Sequence, residues 1–217
     1  MNTIEKIPHE LCTGCGACYN KCPFGAIEMG LDSDGFISPA VNPDRCRDCG
    51  LCLGICPAEH PVGAHEAPEA YAVMAEDKTR KISSSGGMFT LLAEEIFKLG
   101  GVVSGARYSE DFKTVYHTFA GSAEELAPLR GSKYVQSDTG DTYGEAKRLL
   151  DEGRYLLYTG CPCQIAGLYA YLGKDYERLF TADLICHGSN SVTAFRSFVE
   201  EYADGREIEK LDFRENP

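Results

Sequence analysis

Eight of the eleven cysteines in this chain fall into two copies of one spacing, C-x-x-C-x-x-C-x-x-x-C-P. The first copy is Cys12, Cys15, Cys18 and Cys22 before Pro23, and the second is Cys46, Cys49, Cys52 and Cys56 before Pro57. A glycine follows the second cysteine in both, Gly16 and Gly50. Four chemistries use closely spaced thiols: a disulfide framework, zinc, a redox-active pair, and an iron-sulfur ligand set. Disulfide frameworks belong to oxidising compartments and to chains too small to build a core. Neither condition holds for 217 residues with 43% hydrophobic content, and an odd number of cysteines cannot pair completely. The N-terminus MNTIEKIPHEL places charges and a proline where a secretory signal has its apolar core. The expected location is therefore the cytoplasm, where thiols stay reduced.

Zinc needs only two C-x-x-C pairs and leaves the third cysteine of each triplet and both prolines without a role. The full spacing is that of two 4Fe-4S clusters with exchanged ligands, in which each triplet holds one cluster and the cysteine before the proline reaches the other. Cluster one is then expected on Cys12, Cys15, Cys18 and Cys56, and cluster two on Cys46, Cys49, Cys52 and Cys22. Gly16 and Gly50 let the loops take positive φ, so that backbone N–H groups turn toward sulfur. Between the copies, AIEMGLDSDGFISPAVN reads as a hairpin turning at Ser33-Asp34-Gly35, with Ile27, Phe36 and Ile37 available to shield the clusters. Residues 1–60 are expected to form an α+β ferredoxin-like module of the bacterial two-cluster type.

Residues 57–70, PAEHPVGAHEAPEA, read as a linker, and AYAVMA as an entry strand, together spanning 61–79. From residue 80 to residue 217 strands alternate with helices. SSSGG opens a helix carrying Phe89, Leu92, Ile96 and Leu99; GVVSGARY and KTVYHTFA are strands; DTYGEAKRLLDEG is an amphipathic helix; RYLLYTG is a buried strand; CPCQIAGLYAYLG is a helix; RLFTADLIC is a strand and SVTAFRSFVEEYADG a final helix. That alternation predicts an α/β domain with a mainly parallel sheet. The net charge of −12, from 33 acidic and 21 basic residues, argues against a nucleic-acid partner. No apolar run approaches the ~18 residues of a membrane span. Acidic proteins of this kind dock on basic patches of redox partners.

Two turns in the second region carry chemistry. SSSGG offers hydroxyls and free N–H groups at a helix start, which suits a phosphate, or else a serine cap with glycines for close packing. YTGCPCQIAG sets Cys161 and Cys163 at the carboxyl end of a strand, where α/β sheets bind ligands and where a helix start is expected to lower a thiol pKa. Cys186 and His187 end the next strand and would lie beside them, so Cys161, Cys163 and Cys186 are a candidate third cluster site. In RGSKYVQSD, Arg130, Lys133 and Gln136 either meet a phosphate or ring oxygen or form a solvated basic loop.

KISSSGGMFTLLAEEI, LRGSKYVQSDTGDTYGEAKRLL, LYTGCPCQIAGLYAYLG and DLICHG resemble, in order, motifs of the coenzyme F-420 hydrogenase/dehydrogenase β-subunit family, in the subgroup preceded by a two-cluster ferredoxin module. The resemblance runs from Cys12 to about Arg214. It implies an FAD-containing oxidoreductase passing electrons between iron-sulfur clusters and a small organic two-electron carrier, with a protein redox partner or subunit; the alternative is a dicluster electron-transfer subunit lacking flavin. It places Ser84, Ser85, Gly86, Gly87, Ser132, Lys133, Tyr134, Gly160, Pro162 and Gln164, with Cys161 and Cys163, around the flavin and any additional cluster. Family members usually continue beyond LDFRENP, and many carry threonine where this chain has Cys161, so 80–217 is expected to be a shortened flavin-type domain.

Overall fold

The computed structural model describes residues 1–62 and 69–214, so part of the expected linker lies outside the described residues. The first cysteine loop leads into a short helix, α1 (Ala17–Lys21), entered through Gly16 at φ 78°. A hairpin follows, β1 (Ile27–Leu31) against β2 (Ile37–Val41), antiparallel with Ile27 opposite Val41. It turns through Gly35 at φ 81°. The second cysteine loop enters α2 (Leu51–Gly54) through Gly50 at φ 74°, repeating the first. Only three residues of this part form a buried cluster, Ile4, Cys18 and Ile27, with Ile7, Val41, Cys22, Cys52 and Cys56 packed around them. Thiols thus fill positions that aliphatic side chains take in an ordinary core. Phe36, expected to shield the site, is exposed, whereas Ile27 and Ile37 are buried as expected.

AYAVMA does not become a strand. Tyr71, Val73 and Met74 are exposed, and among the described residues no ladder partner lies beside them; only Ala75 is buried, its N–H donating to Gly86 O at 2.8 Å. Beyond it lie α3 (Asp77–Lys81), α4 (Met88–Lys98), β3 (Val102–Tyr108), β4 (Val115–Ala120), β5 (Ser137–Asp138), α5 (Thr142–Asp151), β6 (Leu156–Gly160), α6 (Pro162–Leu172), β7 (Leu179–Asp183) and α7 (Val192–Ala203). The sheet order is β5-β4-β3-β6-β7. β3 and β4 are antiparallel, and the other neighbours are parallel, so the sheet is mixed. The short loop between β3 and β4 allows a hairpin, whereas the parallel pairs need helical crossovers.

Alternation along the strands builds two cores. Val103 and Leu157 face α4 with Ala93 and Ile96. Val102, Leu156 and Tyr158 face α5 and α6 with Ala146, Leu149, Leu150 and Leu168, and this core also takes in Ala17 of α1. Because α4 precedes β3 and runs back along it, its start lies at the carboxyl end of the sheet. The starts of α6, after β6, and of α7, after β7, lie there too. SSSGG, GCPCQ and DLICHG are thereby brought to one edge, the place where α/β sheets bind ligands.

Candidate metal and cofactor site

The two cysteine loops place their thiols in two rings. Cys12, Cys15, Cys18 and Cys56 line one cavity, with Gly14, Gly16 and Pro57 in its wall. Cys22, Cys46, Cys49 and Cys52 line a second, beside Pro23 and Gly50. Each ring therefore combines three thiols of one repeat with the last thiol of the other. Backbone N–H groups are turned onto sulfur in both. Gly14 donates to Cys12, Ala17 to Cys15 and Tyr19 to Cys18. Ala26 N–H lies 3.3 Å from Cys22 Sγ and Asp48 N–H 3.4 Å from Cys46 Sγ, while Ile4 and Leu53 donate to Cys52.

These thiols are poorly placed to ionise alone. Burial pushes Cys12 up, Cys15 up to about 11, Cys18 well above the thiol range, and Cys52 up. Positive charge bound among them reverses that cost, because a coordinating metal deprotonates its thiols outright. Among the described residues no three His, Cys, Asp or Glu side chains converge as they would around a single ion. Four thiols lining a cavity, with N–H donors on sulfur, are the donor set that a cubane cluster takes.

The first ring abuts the α/β domain. Cys15 O accepts from Tyr143 Oη at 2.7 Å and from Thr139 Oγ1 at 3.2 Å. A Cβ on Gly167 of α6 would lie 3.1 Å from Cys15 Sγ. Gln136 clasps both Ile37 backbone groups and reaches Thr13 O at 3.4 Å. The second ring lies away from α6, and Cys49 is exposed.

At the sheet edge, Ser84 Oγ and Ser132 Oγ stand 3.0 Å apart, joining the SSSGG turn to the loop before β5. Gly87, at φ 84°, caps α4. Gly160 is buried, Pro162 opens α6 exposed, and Tyr134 is exposed, edge-on to Phe213. Arg130, Lys133 and Gln136 correct both sequence readings, since all three are spent inside the protein. Arg130 Nε donates to Thr90 Oγ1 at 3.1 Å, and Lys133 Nζ donates to the carbonyls of Arg130 at 2.8 Å and Gly131 at 3.1 Å. Burial brings Lys133 down to about 8. Gln164 is likewise committed: its Oε1 accepts from Cys161 N–H at 2.9 Å, and its Nε2 donates to Ser137 O at 3.1 Å and Ser137 Oγ at 3.0 Å. It ties α6 to β5.

Cys161 and Cys186 are hydrogen-bonded, with Cys163 beside them. β7 stops at Asp183, three residues before Cys186, which is exposed, as is His187. The lowered thiol pKa expected at the start of α6 is reversed. Burial, then the neighbouring thiols, push Cys161 up to about 12, and burial also raises Cys163. Nothing in the cysteine spacing pointed to Thr13, whose hydroxyl contacts both Cys15 and Cys163.

The chain is an iron-sulfur protein of the dicluster kind: residues 11–60 match the 4Fe-4S dicluster domain. Residues 153–216 match the C terminus of the coenzyme F420 hydrogenase/dehydrogenase beta subunit, and the chain belongs to that beta-subunit family. It is 25% identical to the F component of the F(420)H(2) dehydrogenase of Methanosarcina mazei over 74% of this chain and 48% of the relative. It is 41% identical over 58 residues, 27% of this chain and 16% of the relative, to the B component of the Na(+)-translocating ferredoxin:NAD(+) oxidoreductase complex of Acetobacterium woodii. It is 37% identical to a ferredoxin of Pyrobaculum islandicum over 30% of this chain and 59% of that protein. The fold is shared with a chain of the F420-reducing [NiFe] hydrogenase complex from Methanosarcina barkeri, at TM-score 0.50 and 22% identity over 66% of this chain and 56% of that one. The chain thus spans about half the length of the F420-linked relative it matches.

Proposed function

We propose that this protein is an iron-sulfur flavoprotein subunit that passes electrons between a small organic two-electron carrier and a protein redox partner. The observation that carries this reading is the pairing of two four-cysteine rings with a sheet edge bearing SSSGG and GCPCQ, one ring being packed on the helix that GCPCQ opens. Cys12, Cys15, Cys18 and Cys56 hold one 4Fe-4S cluster, and Cys46, Cys49, Cys52 and Cys22 the other. Ser84, Ser85, Gly86, Gly87 and Ser132 offer hydroxyls and helix-start N–H groups to a pyrophosphate, as FAD requires. A flavin supplies the conversion of a two-electron transfer into single-electron transfers, which clusters alone do not perform. The family membership supports an F420-type carrier as one candidate for the organic substrate.

Anaerobic purification tests the reading. Iron and labile sulfide of about eight each per chain, with a flavin absorption band, are expected. The same iron without flavin would make the protein a dicluster electron-transfer subunit, and zinc without sulfide would overturn both. Exchange of ligands between repeats is tested separately. Cys22→Ser is expected to damage the cluster on Cys46, Cys49 and Cys52 and to spare the other, and electron paramagnetic resonance (EPR) distinguishes the two; loss confined to the first ring would refute the exchange.

A further inference from the structure

The two rings are not equivalent toward the rest of the molecule. α6 presents Cys163 and Gly167, one helical turn apart and so on the same face, to the first cysteine loop. Gly167 lacks the Cβ that would press on Cys15 Sγ at 3.1 Å and on Tyr143 Oη at 2.9 Å, and Tyr143 Oη holds Cys15 O. Across this seam the Thr13 hydroxyl is hydrogen-bonded to Cys15 on one side and Cys163 on the other. Its backbone is fixed from the α/β domain, because Thr13 O accepts from Gln136 Nε2. The second ring has no equivalent among the described residues. Arg47 occupies the matching position, exposed beside the exposed Cys49.

We infer that the ring of Cys12, Cys15, Cys18 and Cys56 is the inner site, coupled to the GCPCQ turn, and that Thr13 is the positioning residue that tunes it; the ring of Cys22, Cys46, Cys49 and Cys52 is the outer site. A hydroxyl has one hydrogen to give. With Cys15 ligated as thiolate, that hydrogen goes to Cys15 Sγ, and the oxygen lone pairs face Cys163. A donor on a ligand sulfur stabilises the reduced cluster, which carries more negative charge, and raises its potential. Thr13 is itself exposed, so removing its hydroxyl leaves the core untouched.

This inference rests on the two-cluster reading above, and the experiment separates their failures. The full chain is prepared anaerobically, its iron is counted, and both clusters are titrated potentiometrically with EPR detection. Cys49→Ser, at the outer ring only, identifies which signal belongs to which ring. In Thr13→Val the inner signal is expected to titrate at a more negative potential while the outer one stays, and Thr13→Ser is expected to restore it. Gly167→Ala, which brings a methyl against Cys15 Sγ, is expected to move the same inner signal. An unmoved inner midpoint in both variants, an equal shift in both signals, or a shift confined to the outer signal overturns the inference while leaving the two clusters standing. A preparation without iron and sulfide overturns the two-cluster reading and this inference together.

Discussion

The repeat imposes a left-handed backbone on single residues, and the two copies meet that demand differently. Gly16 and Gly50 both stand at positive φ at the start of their helices, which the shared glycine made legible. Two residues after the first cysteine of each copy the backbone is again left-handed, at Gly14 (φ 66°) and at Asp48 (φ 53°). Nothing in an aspartate announces that conformation, so the second position could not be read from the sequence. His117 was equally silent. It lies inside the sheet, stacked on Tyr158 at 5.8 Å, with Nε2 3.2 Å from Thr159 O and Nδ1 without a hydrogen-bond partner among the described residues. Burial holds its pKa down to about 4, the nearby Lys133 charge adds to the effect, and Asp138, Asp141 and Glu145 along the same cavity do not offset it. A folded-state pKa below the unfolded value of ~6.5 means stability that is complete above pH 6.5 and lost as pH falls toward 4. The expected loss is roughly 2 kcal/mol by pH 5, at about 1.4 kcal/mol per pH unit. Thermal denaturation of the wild type should follow that slope between pH 7 and 5. His117→Phe, which keeps a ring against Tyr158 and cannot take a proton, should flatten it; an unchanged slope would remove His117 as the cause.

Among the elements, long periodic segments were readable and short ones dependent on partners were not. α4, α5, α6 and α7 carry apolar positions at helical spacing, and β3, β6 and β7 alternate or run apolar, so each was recognisable locally. β5 has two residues, Ser137 and Asp138, and exists because β4 lies beside it. AYAVMA has the composition of a strand and, among the described residues, no neighbour to pair with. The expected parallel sheet missed the antiparallel β3–β4 hairpin, since the direction of a strand pair depends on the connecting loop. Gln136 shows the same limit at a seam. Its side chain bonds Ile37 N–H and Ile37 O, doing for β2 what a neighbouring strand would do, and so fastens the hairpin beside β5. Gln136→Ala strands both groups at a contact that water reaches poorly, at an expected cost of roughly 1–3 kcal/mol. Hydrogen exchange read along the chain would show it as faster exchange at Ile37 and through β1–β2, with β3 and β6 unchanged. Wild-type protection in the hairpin would mean the amide clasp contributes nothing.

At the scale of the molecule, the two parts draw their stability from different sources. The α/β domain has a closed sheet core in which Val103, Leu126, Leu156, Leu157 and Leu168 are almost fully buried. The N-terminal part has three buried residues in its cluster, one of them a cysteine, with more thiols packed around it. A unit of that size lacks the apolar surface to offset its chain entropy and depends on metal–ligand bonds, whose binding free energy then becomes folding free energy. Its seam with the larger domain, through Gln136, Thr139 and Tyr143, consists of hydrogen bonds to backbone groups that the cysteine loops must already present. Those bonds orient a folded module and cannot by themselves fold one. Stripping iron by oxidation and chelation is therefore expected to expose α1, α2 and β1–β2 to rapid amide exchange while β3, β6, α5 and α6 keep their protection. Ala17, Cys15 and Ile55 pack on the α5–α6 core, so the unfolding should also speed exchange at the exposed start of α6 and leave its later turns protected. Retention of hairpin protection after complete iron loss would show that the apolar contacts of Ile4 and Ile27 suffice. Simultaneous loss of the β3–β6 ladder would show that the two parts fold as one unit.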